Sequence, residues 1–298
     1  MSEITKIAII GLDTSHSTEL PKLMQDPKTP ENLQVKELRT VSCLRFETPF
    51  QNKEGLDARQ EYLESIGVTV TENFDEAVAE CDAIIIAIND PSRHLEYFEK
   101  CAPLGKPIFL DKPFADTVKN MHKIIEIANK YKIRFFTSSS LRFDVDLTAV
   151  LESAPKVHRA LIWGPIGKAA AGSDVIWYGC HGFEMLQTVM GNGAEEVSAY
   201  QDEAGYVFQI KYADERRGTV ELTPKSSYGA LLRDDANNSV PVKVTAKVSF
   251  YFMLLKAIVR FLNGEQVVEL ADAVEVMAML EAADKSIVSG KAEKVYPC

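Results

Sequence analysis

Over the first 140 positions, short uninterrupted apolar runs alternate with amphipathic stretches. Residues 6–11, Lys6-Ile-Ala-Ile-Ile-Gly11, form a continuous apolar run closed by glycine, the pattern of a strand buried on both faces of a parallel sheet. Leu20, Leu23 and Met24 follow at helical spacing, with Ser15 or Ser17 able to cap the start, so a strand and a helix open a βαβ unit. Pro27 and Pro30 interrupt the chain before a β-branched, apolar run over 39–46. A polar stretch then leads to a helical pattern over 57–65 and a short strand over 68–70. Acidic residues mark a helix start at 73–77, and 82–88 is the strongest buried strand of the chain. A helix over 91–102, a strand over 105–110, a long amphipathic helix over 117–130 and a strand over 134–137 complete the series. This alternation predicts an α/β fold with an N-terminal Rossmann-like doubly wound parallel sheet and ligands near the C-terminal ends of its strands.

From about residue 157 the pattern changes. Strand-like segments at 196–200, 206–212, 218–222 and 241–248 follow one another without helices between them, which predicts a C-terminal α+β domain with a mainly antiparallel sheet. Helical patterns over 251–262 and 271–289 close the chain, with Gly264 and Gly290 where C-terminal helix glycines are expected. The division predicted is 1–143 and 144–298, and a length of 298 residues exceeds what one core usually serves.

A net charge of -10, with no Lys/Arg-rich block, argues against a nucleic-acid partner. No run approaches the roughly 20 apolar residues that span a bilayer, so no membrane partner is expected. Ile7 to Ile10 is too short for a secretion-signal core. Cys43, Cys81, Cys101, Cys180 and Cys298 are odd in number, scattered and without a Cys-x-x-Cys pair, as in a reducing compartment, and a cytoplasmic protein is expected.

The loop after the first strand is where backbone N–H groups and a helix N-terminus favour phosphate. It reads Gly11-Leu-Asp-Thr-Ser-His16, and of the three fingerprint glycines only Gly11 is present; Asp13 and His16 replace the others. Gly11, Asp13, Thr14, Ser15 and His16 are candidate cofactor contacts, the other reading being that Asp13, Thr14 and Ser15 only cap a helix. Arg45, followed by Glu47, ends the second strand; if a nicotinamide cofactor binds, Arg45 tilts the choice toward NADP, although it equally reads as a surface arginine. Asp13, His16, Asp111 and His181 share no metal-ligand motif, so no metal is expected, and His122 and His158 receive no role.

Three ordered segments carry a resemblance: Ala87-Ile-Asn-Asp-Pro-Ser-Arg-His94, Gly105-Lys-Pro-Ile-Phe-Leu-Asp-Lys-Pro113 and Ser138-Ser-Ser-Leu-Arg-Phe143. In order and spacing they resemble the Gfo/Idh/MocA (glucose–fructose oxidoreductase/inositol dehydrogenase) family, with Asp111-Lys112-Pro113 similar to its Glu-Lys-Pro motif. Trp177-Tyr-Gly-Cys-His-Gly-Phe-Glu184 is similar to that family's Asp-x-Gly-x-His segment, and Phe261-Leu-Asn-Gly264 and Ser289-Gly-Lys291 to its closing signature. The resemblance implies NAD or NADP as cofactor, with Asn89, Asp90, His94, Asp111 and Lys112 near it, and hydride exchange with a sugar, cyclitol or related polyol. It implies Lys112 beside the substrate hydroxyl and His181 as acid/base, roles that suit a lysine stabilising an alkoxide and an imidazole titrating near neutrality.

Each residue alone has a plainer reading, Lys112 as a strand-end lysine and His181 as a core histidine. Where the family has an Asp four residues before the His, this chain has Trp177; Glu184 is the candidate replacement, if it is not simply an ordinary salt-bridging glutamate. Trp177 and Tyr178 read as an aromatic wall for a sugar ring or as core, and Arg142 as a substrate contact. The resemblance also implies a homodimer or homotetramer. The departures at Asp13 and Trp177 leave a second function open, a family member that binds a ligand or partner without hydride transfer. A third is non-redox use of a retained cofactor.

Overall fold

The computed structural model describes residues 4–153 and 156–296, so Cys298 lies outside the described residues. By its contacts the chain divides into two units, one made of Met1–Ala115, Lys119–Thr137 and Ser249–Val267, the other of Asp116–Val118, Ser138–Val248 and Val268–Cys298.

The first unit is built on a six-stranded parallel sheet of β1 (Thr5–Ile10), β2 (Leu38–Leu44), β3 (Thr69–Thr71), β4 (Ala83–Ile86), β5 (Ile108–Asp111) and β6 (Phe135–Ser138), in the order β3-β2-β1-β4-β5-β6. This is the doubly wound order whose direction of winding reverses between β1 and β4, where ligands bind. Ile7, Ala8, Ile9 and Ile10 are all fully buried, which explains the unbroken apolar run: helices cover both faces of the sheet. Asn52 caps the helix Lys53–Ser65 by accepting the Gly55 N–H, and Asn73 caps Phe74–Val78.

The helix Phe250–Leu262 belongs to this unit and not, as a single cut after Phe143 would place it, to the second. Phe261 packs its ring 5.0 Å from that of Phe136, and its carbonyl accepts from Arg134. Lys256 pairs with Glu37 at 3.0 Å. The apolar face of the helix is thus satisfied by the parallel sheet's own helices and strands, whatever its place in the chain.

The second unit holds a seven-stranded sheet of β7 (Val157–Pro165), β8 (Ala194–Asp202), β9 (Gly205–Tyr212), β10 (Arg217–Thr223), β11 (Gly229–Asp234), β12 (Ser239–Lys243) and β13 (Glu293–Lys294), in the order β12-β11-β7-β10-β9-β8-β13. Only β7 and β10 run parallel; the other pairs are antiparallel. The strand expected over 241–248 is shorter, ending at Lys243, and β11 was not anticipated. The helices Cys180–Met190 and Leu270–Ser289 cover one face of the sheet. Gly182 and Gly218 allow this closeness: a Cβ on Gly182 would lie 2.9 Å from a Val220 side-chain carbon, and one on Gly218 2.8 Å from the Leu186 side chain. The opposite face carries the exposed alternate residues, Arg217 on β10 and Arg233 on β11 among them.

Candidate functional site

The sequence-predicted residues form two clusters, one in each unit. In the first unit, the loop from Gly11 to His16 follows β1. Gly11 has φ +107°, and a Cβ there would lie 2.4 Å from the Ala87 carbonyl oxygen, so only glycine fits where β1 and β4 end side by side. Asp13, which replaces the second fingerprint glycine, is 1% exposed. Its carboxylate accepts the Asn89 N–H at 2.9 Å and the Thr48 hydroxyl at 2.7 Å, tying together the ends of β1, β2 and β4. Burial pushes its pKa up, and the hydrogen bonds from Thr48 and Asn89 offset this only partly. Arg59 donates to the Leu12 carbonyl at 2.8 Å on the same loop. The carboxylate therefore faces inward and is not offered at the loop surface.

Thr14 accepts the His16 N–H at 3.3 Å, and Ser15, at the N-cap, makes no side-chain cap but lies 3.2 Å from the Tyr251 hydroxyl. His16, replacing the third glycine, is buried with Nδ1 2.6 Å from an Asp111 carboxylate oxygen. Tyr251 packs edge-on against the imidazole with ring centroids 4.9 Å apart. Burial disfavours the Asp111 anion, but His16 and Lys112 outweigh it and hold the carboxyl below the usual carboxylate range. Asp111 also accepts the Lys112 N–H at 2.8 Å, and Lys112 precedes a cis peptide to Pro113.

Three expected cofactor contacts have other work. Arg45 donates to Gln60 at 2.6 Å and pairs with Asp57 at 2.5 Å, so its guanidinium is already engaged and the argument for a 2′-phosphate loses its basis. Asp90 caps the turn Pro91–Arg93 by accepting from Ser92, backbone and hydroxyl. His94 is fully buried, its ring nitrogens 2.9 Å from the Ile88 carbonyl and 3.4 Å from that of Phe114; it is a strut between the segments after β4 and β5.

The second cluster surrounds His181. A π-helical turn, Val175–Gly179, runs into the helix Cys180–Met190, and such turns recur at functional sites because they displace side chains from regular helical spacing. The turn carries Trp177 and Tyr178, half-buried and 5.2 Å apart between ring centroids. Tyr178 lies edge-on to His181 at 5.2 Å and Tyr228 at 6.0 Å. The Tyr228 ring reaches there over Gly164, where a Cβ would lie 2.7 Å from the ring carbons. His181 Nδ1 is 2.7 Å from the Ser139 hydroxyl, which also accepts the Leu141 N–H.

Glu184 does not take the place of the missing Asp at Nδ1. One of its oxygens accepts from Arg142 at 2.7 Å and from Ser138 at 2.8 Å. Arg142 also donates to Gln187 at 2.6 Å and lies 3.6 Å from Asp272, so its half-buried guanidinium is engaged within the unit. Sequence reasoning missed Thr48, Ser139, Tyr228 and Tyr251. Ser139 had a signal, the Ser138-Ser-Ser140 run at a strand end; the other three enter only by tertiary placement.

Residues 5–139 match a family described as oxidoreductase family, NAD-binding Rossmann fold, GFO_IDH_MocA. No curated protein matches the sequence. Among solved structures, a scyllo-inositol dehydrogenase from Lactobacillus casei with bound NAD(H) and scyllo-inositol is 14% identical with a TM-score of 0.77, over 98% of this chain and 99% of that one. A myo-inositol dehydrogenase from Corynebacterium glutamicum is 14% identical with a TM-score of 0.78, over 99% and 100%. A probable dehydrogenase from Thermotoga maritima is 17% identical with a TM-score of 0.78, over 97% and 98%. These likenesses show the fold along the whole chain, and residues 5–139 are similar to the NAD-binding Rossmann fold of the GFO_IDH_MocA oxidoreductase family.

Proposed function

We propose that this chain is a cytoplasmic, homo-oligomeric, NAD(P)-dependent oxidoreductase acting on a CH–OH group of a sugar, cyclitol or related polyol. The observation that carries the reading is the imidazole of His181, held at Nδ1 by Ser139 at 2.7 Å and flanked edge-on by Tyr178 and Tyr228. Solved relatives named for inositol substrates support the substrate class.

The first-unit loop fits a dinucleotide: Gly11 permits the close approach of strand ends, and the Asp13 carboxylate is turned inward with both oxygens bonded. Gly11, Thr14 and Ser15 are the residues that would hold it, and a bound nicotinamide would supply the hydride-accepting carbon. His181, with Ser139 orienting the ring, takes the hydroxyl proton through Nε2. Lys112 stabilises the developing alkoxide by charge and hydrogen bonding. Tyr178 and Trp177 offer ring faces to the apolar side of a polyol.

One observation favours the second reading, ligand binding without turnover: Asp13 already uses the Asn89 N–H, and Thr14 the His16 N–H, as acceptors that a diphosphate would otherwise be. Calorimetric titration with NAD, NADH, NADP and NADPH separates the two. Micromolar binding of one form, about -8 kcal/mol, followed by loss of turnover in Lys112→Ala and His181→Ala with the fold intact, is expected. No binding by any form, with no nucleotide retained on purification, overturns the oxidoreductase reading, and unchanged turnover in either variant removes that residue from the mechanism.

A further inference from the structure

Two buried residues at the C-terminal edge of the parallel sheet touch each other and take no part in the reaction proposed above. They are His16, which opens the helix His16–Gln25, and Asp111, which ends β5. One oxygen of the Asp111 carboxylate accepts the Lys112 N–H at 2.8 Å, and the other lies 2.6 Å from His16 Nδ1. In a dinucleotide fingerprint the third glycine lets the helix pack closely on the strand. Here that position carries an imidazole, whose plane is fixed by a third element. Tyr251, on the helix Phe250–Leu262, lies edge-on to it at 4.9 Å and holds its own hydroxyl 3.2 Å from Ser15 Oγ. All of these residues belong to the first unit.

A carboxylate as buried as Asp111, 2% exposed, is costly unless both oxygens are occupied. The Lys112 N–H serves one of them, and His16 Nδ1 is the partner that the described residues give the other. With that partner gone, the carboxylate gains by rotating toward water, and rotation releases the Lys112 N–H. The backbone of Lys112 is therefore held by a chain of contacts that begins at His16, at the strand ends where ligands of such a sheet bind.

We propose that His16 is a positioning residue: acting through Asp111, it fixes the Lys112 backbone and so the point from which the lysine side chain reaches the reacting hydroxyl. The inference rests on the reading of Lys112 as the group that stabilises the alkoxide, but not on which coenzyme or polyol is used. In this role His16 works through the protein and not as a contact of the dinucleotide.

Three variants of the full chain test it. His16→Phe keeps a ring against Tyr251 and loses the nitrogen; His16→Asn keeps an N–H near the place of Nδ1; His16→Gln puts one near the place of Nε2 instead. The first readout is hydrogen exchange at the Lys112 amide, resolved by mass spectrometry, which needs no turnover. Exchange about tenfold faster is expected in His16→Phe and His16→Gln, the loss of one net hydrogen bond, with His16→Asn close to the parent chain. The second readout is steady-state kinetics. A fall in kcat of up to about 100-fold is expected in the same two variants, with the coenzyme KM unmoved and most of kcat recovered in His16→Asn. Should His16→Phe not fold, the contrast between His16→Asn and His16→Gln decides.

Unchanged Lys112 exchange in His16→Phe and His16→Gln overturns the proposal. So does a raised coenzyme KM with kcat retained, which would make His16 a contact of the dinucleotide. A lowered Tm with Lys112 exchange and kcat both unmoved overturns it too, leaving His16 a packing residue. A parent chain without turnover refutes the oxidoreductase reading alone, and Lys112 exchange still decides whether His16 holds the lysine.

Discussion

Asp13 offers the sharpest test of the structure, because two small substitutions should move stability in opposite directions. Asp13→Ala removes the acceptor for the buried Asn89 N–H and the Thr48 hydroxyl. Each orphaned group costs about 1–3 kcal/mol, giving about 2–4 kcal/mol for the pair after partial relief from losing a buried charge. For a unit of this size that lowers the Tm by on the order of 10 °C. Asp13→Asn keeps an oxygen for Asn89 and an amide facing Thr48, while removing the charge.

Burial raises the folded-state pKa of Asp13 above its unfolded value, so the native state binds this proton more tightly than the unfolded chain does. The penalty is absent below the ordinary carboxylate range, where both states are protonated, and grows as pH rises toward the folded pKa. Asp13→Asn should therefore match the parent chain in acid and exceed it in Tm near neutrality. Scanning calorimetry of the three proteins from pH 4 to pH 8, restricted to reversible conditions, reads this directly. The reasoning fails if Asp13→Asn is destabilised at neutral pH as much as Asp13→Ala, or if its difference from the parent does not vary with pH.

Two other changes test the second cluster. Ser139→Ala removes the partner of His181 Nδ1 and the acceptor of the Leu141 N–H; kcat is expected to fall about 10–100-fold with a shifted pH profile and a Tm lower by a few degrees, and Ser139→Thr to restore most of both. An unaltered pH profile would show that Ser139 does not orient the imidazole. Glu184→Ala removes the nearer of the two carboxylates on Arg142, whose side chain is 10% exposed, and leaves Asp272 at 3.6 Å; denaturant unfolding should show a loss of about 1.5–3 kcal/mol. A loss below about 1 kcal/mol would return Arg142 to the list of groups able to meet a substrate.

The parallel sheet was legible because its chemistry is local. A strand covered on both faces must be apolar at every position, and Ile7 to Ile10 and Ala83 to Ile86 read as such without any knowledge of their neighbours. The same locality made the Asp111-Lys112-Pro113 and His181 segments recognisable in order. β11 escaped notice because six mixed residues, Gly229 to Asp234, become a strand by pairing with β7 and β12. The helix Phe250–Leu262 shows the same limit: its pattern was evident, but not the unit whose hydrophobic face it would share.

The sequence by itself determined the fold class, the family resemblance and which side chains have the right chemistry, since composition, periodicity and short motifs are properties of neighbours along the chain. Only the tertiary structure decided what those side chains do. It turned Asp13 inward onto Asn89 and Thr48, engaged Arg45 with Asp57 and Arg142 with Glu184, and placed Ser139, not Glu184, on His181. It also drew His16, Asp111 and Tyr251 from three separate elements into contact. Hydrogen bonds and ion pairs act over a few ångströms whatever the sequence separation, and it is strand register and helix packing that bring such groups within reach.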